Sequence, residues 1–121
     1  MATLNAIAIK PKEPATRTQI EDTLAALQSF VEGYIEISYP FDDEVIVIGN
    51  DEAKLIGMEG TRRINNHIYA GPLLLIGDDM KGSLRSLTEE ETAKYLERFK
   101  EPEEISEEET QADVGFYVWS F

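Results

Sequence analysis

Residues 33–57, GYIEISYPFDDEVIVIGNDEAKLIG, decide the fold. In Tyr34-Ile35-Glu36-Ile37-Ser38-Tyr39 large apolar side chains interleave with polar ones, so a strand there can turn one face to a core and Glu36 and Ser38 to water. Val45-Ile46-Val47-Ile48 does not alternate. A short β-branched run bounded by turn residues fits a strand covered on both faces, and it is too short for a helix. Between the two, Pro40-Phe41-Asp42-Asp43 supplies a fixed φ and two turn-favouring side chains, and Asn50-Asp51-Glu52-Ala53 makes the next turn. Lys54-Leu55-Ile56-Gly57-Met58 reads as an extension of the meander.

Working outward, 4–10 is a first strand closed by Pro11 and Pro14. Ile20, Leu24, Leu27 and Val31 recur at helical spacing, which predicts a helix capped by Thr16 or Thr18 and stopped near Gly33. Periodicity weakens over 59–71. Pro72-Leu73-Leu74-Leu75-Ile76-Gly77 is a second buried strand by the logic of 45–48. Thr88 and Glu91 make a capping box for a second helix, with acidic residues in its first turn and Pro102 beyond its end. The pattern predicts an α+β domain over 1–100, with an antiparallel or mixed sheet of about five strands and two packed helices. An acidic, solvated linker is expected over 101–113. The aromatic run 114–121 is expected as a C-terminal strand that completes a sheet edge or is exchanged with another subunit, making a homo-oligomer the expected assembly.

The chain has 121 residues, 24 acidic against 11 basic, for a formal charge of −13. Direct nucleic acid binding is thus unexpected, because phosphate recognition draws on a positive surface. Without cysteine there is neither disulfide nor thiolate chemistry. The N-terminal residues lack a signal peptide's basic region and apolar core, and no apolar run is long enough to span a membrane, so a cytoplasmic protein is the expectation.

The segments TLAALQSFVEGYIEISYPFDDEVIVIGNDEAKLIGM, TRRIN, IYAGPLLLIG and SLTEEETAKYLERFK together resemble the domain of unknown function numbered 3846, found mainly in phages, plasmids and conjugative elements. GYIE followed by YPFDD carries the likeness most specifically; the middle, Thr61 to His67, is shorter than the family pattern. The resemblance implies a mobile-element cargo protein that counters host defence, and it brings no characterised activity.

Positive charge and hydrogen-bond donors concentrate inside the apolar part only at Arg62-Arg63-Ile64-Asn65-Asn66-His67, followed by Tyr69. Guanidinium forks suit phosphate, amides suit a base or ribose edge, and Tyr34, Tyr39 or Tyr69 could stack on a purine. The ligand-binding set read from the sequence is Arg62, Arg63, Asn65, Asn66, His67, Tyr39 and Tyr69, and the ligand class is a small nucleotide-derived signal. The plainer reading is that the arginines offset surface carboxylates. The lone His67 is a poor metal signal, and Asp42-Asp43 and Asp78-Asp79 sit where turns need aspartate, so no metal and no cofactor are expected. Nucleophile-elbow, phosphate-cradle and dinucleotide motifs are absent, leaving an acid-base pair of Glu36 and His67 as the one catalytic arrangement to consider. Sequestration of an immune signal without cleavage is the function expected. An acidic inhibitor of a host nuclease or regulator and a signal-degrading enzyme are its rivals.

Overall fold

A computed structural model describes residues 3–118, with side chains through residue 112. Its centre is β4 (Val45–Asn50) beside β7 (Leu73–Asp78), the two unbroken apolar runs, paired antiparallel from Val45↔Gly77 to Ile48↔Leu74. β1 (Thr3–Ile9) lies on the other side of β7, β2 (Thr16–Glu21) pairs with β1, and β3 (Ile35–Ser38) pairs with β4. The order is β2-β1-β7-β4-β3, with the short β8 (Leu84–Arg85) added to the end of β7. Every pairing is antiparallel, so the fold is α+β around a six-stranded antiparallel main sheet.

Period-2 geometry sends alternate side chains of these strands into two cores, one on each face. On one side Ile46, Ile48, Leu74 and Ile76 meet Leu27 and Val31 of α1 (Leu24–Val31). On the other, Val45, Val47, Leu73 and Leu75 meet Tyr95 and Phe99 of α2 (Glu89–Arg98) and its C-cap, together with Ile64. Ile64 belongs to a separate two-stranded sheet, β5 (Gly60–Ile64) and β6 (His67–Ala70). The capping box of α2 forms as the sequence predicts, with Thr88 Oγ1 accepting from Glu91 N–H and Glu91 Oε1 accepting from Thr88 N–H. Asp43 ties the β3–β4 turn to this helix, accepting from Tyr95 Oη at 2.7 Å and Lys94 Nζ at 3.0 Å.

Local expectations are corrected at 16–21, at 54–58 and in the C-terminal segment. Residues 16–21 are strand β2 rather than the start of a helix. Thr16 and Thr18 face the same side as Ile20, the threonines favour extended backbone, and the cap of α1 is Thr23, whose Oγ1 accepts from Ala26 N–H. Residues 54–58 are a turn instead of a strand, closed by Ile56 N–H to Glu52 O and Gly57 N–H to Lys54 O; Ala53 is buried, while Leu55 and Ile56 are exposed. The stretch 59–71, to which the sequence assigned no element, holds the β5–β6 hairpin. The acidic segment expected as a linker enters α3 (Glu107–Val118), which also takes up Val114 to Val118, residues expected in a strand; 119–121 lie outside the described residues. Among the described residues, no helix is long and apolar enough to cross a membrane.

Candidate functional site

The β5–β6 hairpin turns on Asn65-Asn66, at φ 51° and 68°, the left-handed backbone that a two-residue type I′ turn requires and asparagine tolerates. Asn65 Nδ2 also donates to Pro40 O, pinning the turn to the main sheet. Alternation along β5 then separates the two arginines. Arg62 points inward and is wholly buried; Arg63 points outward. Arg62 Nη1 donates to Thr61 O at 2.8 Å, and Nη2 donates to Glu13 O at 2.6 Å and Phe99 O at 3.0 Å, while Nε finds no partner. Burial drives the Arg62 pKa down, against a pull upward from Glu103. Arg63 pairs with Glu103 and Glu109, which hold its pKa up.

The two guanidinium groups therefore do not form one patch. One clamps three backbone carbonyls, and the other joins α3 and the preceding segment to the hairpin.

Below the hairpin a cavity of about 520 Å³ opens on the face of the sheet that carries Glu36 and Ser38. Its floor is Gly49 and Leu73; its roof is His67, Ile68, Tyr69 and Ala70 of β6; its end wall is the turn with Asn50, Asp51, Ala53, Lys54 and Leu55. Gly49 matters for space. It stands opposite Glu36 in the ladder, and a Cβ there would lie 3.3 Å from Leu73 Cδ2, so any side chain would grow into the chamber. Asn50 fixes the end wall, with Nδ2 donating to Val31 O at 2.9 Å and Oδ1 accepting from Glu52 N–H at 2.7 Å. Tyr69 Oη accepts from Ser38 Oγ at 3.1 Å and closes roof to floor.

Of the residues singled out in the sequence, His67 and Tyr69 line this cavity and Glu36 joins them; Arg62, Arg63, Asn65, Asn66 and Tyr39 lie outside its lining. Tyr39 is 68% exposed. Sequence reasoning missed Gly49, Asn50, Asp51 and Ser38, although a glycine after four β-branched residues is a signal of close approach. The chemistry of the chamber is set by Glu36, whose pKa is raised first by burial and then by the neighbouring Asp51 carboxylate; Lys54 opposes the shift. An apolar chamber with paired carboxylates at one end accepts hydrogen bonds from a donor or cationic group.

Three of the four turn aspartates are already engaged: Asp43 as above, Asp78 with Met80 N–H, and Asp79 with Lys81 and Ser83 N–H. Among the described residues no group of three or more histidine, aspartate or glutamate side chains is placed to hold a metal ion. No curated protein and no solved structure matches the chain. The family model described as domain of unknown function DUF3846 matches residues 4–100, and the chain belongs to that family.

Proposed function

We propose that the protein binds a small nucleotide-derived ligand by its base end, in the cavity over Gly49, and releases it chemically unchanged. The observation that carries this reading is the chamber itself. At about 520 Å³ it falls within the range of small-molecule sites, largely apolar with a few convergent polar groups. A nucleobase offers exocyclic N–H donors to the Glu36–Asp51 pair and a flat face to Tyr69 and Ile68. Phosphate is left at the mouth, because neither arginine lines the chamber and a net charge of −13 repels anions. The mobile-element likeness supports a host immune signal as the natural guest, held rather than degraded.

Calorimetry with adenosine, guanosine, ADP-ribose and cyclic dinucleotides, followed by mass spectrometry of ligand recovered after denaturation, tests this. Heat from at least one nucleoside, with its mass unchanged, is the expected result. Gly49→Val should abolish it, and Tyr69→Ala, which opens rather than fills the chamber, should weaken it. Silence from the whole panel, altered ligand, or full binding by both variants overturns the reading. Altered ligand would turn attention to Glu36 and His67 as an acid-base pair, and silence to an acidic inhibitor.

A further inference from the structure

The two edges of the main sheet differ. β2, at one end, is guarded by polar side chains: Arg17 reaches Glu89, and Gln19 donates to Asn5. β3, at the other, pairs only with β4 among the described residues and exposes Ile37, with Tyr34 and Tyr39 about 70% exposed at its ends. An open edge bearing large apolar side chains is the kind that proteins blunt unless it is used. Its charge is one-sided as well. From residue 18 to residue 53 the chain contains no lysine or arginine, and Glu32, Glu36, Asp42 and Asp51 surround the edge.

We propose that the outer edge of β3 is a docking strand for an extended, basic segment of another protein. Main-chain hydrogen bonds to Ile35–Ser38 would continue the sheet by one strand. Alternation fixes what that strand must carry. On the face of Glu36 and Ser38, where the cavity opens, lysine or arginine meets Glu36; on the face of Ile37, an apolar side chain packs. A second copy of this chain is the poorer occupant, because two edges each bearing Glu36 and each belonging to a chain of charge −13 repel. The inference shares Glu36 with the nucleoside reading but rests on the open edge of β3 rather than on the chamber, and because the two tests share no probe, either can fail alone.

The probe is an eight-residue peptide alternating lysine and valine, compared with its glutamate–valine counterpart and with a version N-methylated on alternate residues. Hydrogen exchange on the full chain should show protection of the Ile35–Ser38 amides by the lysine peptide alone. The affinity should fall at least tenfold on Ile37→Lys, at an exposed position where the thermal midpoint is expected to hold, and at least fivefold between 50 and 500 mM salt. Protection elsewhere only, equal binding of the N-methylated peptide, or a dimer in sedimentation that buries β3 would overturn the proposal.

Discussion

Replacing Arg62 tests the account of the hairpin most directly. Its guanidinium is fully buried without a carboxylate partner, and it supplies three donors to the carbonyls of Thr61, Glu13 and Phe99. Phe99 O also accepts from Ala15 N–H, so Arg62→Ala costs it only one of two bonds, while Glu13 O loses the shortest of the three. Each buried acceptor left short costs about 1–3 kcal/mol, and deleting the side chain opens a void between β5 and α2. A loss of about 3–5 kcal/mol follows, a large share of the roughly 5–15 kcal/mol by which domains are stable. Arg62→Met keeps most of the volume and removes a charge that already strains against burial, so it should cost less than alanine. Arg63→Ala, at a surface ion pair screened by solvent, should cost far less than Arg62→Ala. Urea unfolding followed by circular dichroism at pH 7 measures all three. If Arg62→Ala loses less than about 1 kcal/mol, or no more than Arg63→Ala, the clamp is not what holds the hairpin.

Three further outcomes are expected. The folded pKa of Glu36 lies above its ordinary value near 4.5, so its contribution to stability is fullest below that value and declines as pH rises through the folded pKa. Glu36→Gln should therefore be more stable than the parent at pH 7, with the difference fading near pH 4, in thermal melts across that range; lower stability at pH 7 would contradict the assignment. Burial alone would raise the Asp43 pKa, but hydrogen bonds from Tyr95, Lys94 and the Val45 N–H bring it below the usual range. Tyr95→Phe should cost about 1–3 kcal/mol and raise the Asp43 pKa in a carboxyl-carbon NMR titration; an unmoved titration would refute the coupling. Thr88→Ala removes one arm of the α2 cap and should cost about 1 kcal/mol by urea unfolding, and no loss would mean that Glu91 caps the helix alone.

The buried strands were legible because continuous β-branched and leucine runs have few other uses, and the α2 cap was legible because it is local chemistry. Residues 16–21 misled because Ile20 falls in step with Leu24, Leu27 and Val31, although its strand neighbours Thr16 and Thr18 already alternated with it. The type I′ signal of Asn65-Asn66 was present in the sequence, and reading it would have put Arg62 and Arg63 on opposite faces. Two of the three carbonyls that receive Arg62 could not have been found, since they come from residues 13 and 99, far away along the chain. The cavity needed the same long-range knowledge: its roof and floor are different sheets.

The chamber's ceiling is riveted from above, by a cation whose anchors lie outside the lining. Exchanging side chains at positions such as Leu55 or Ile68 can therefore retune what the chamber admits without altering its height. A scaffold arranged in this way lets the lining vary at little cost to the fold.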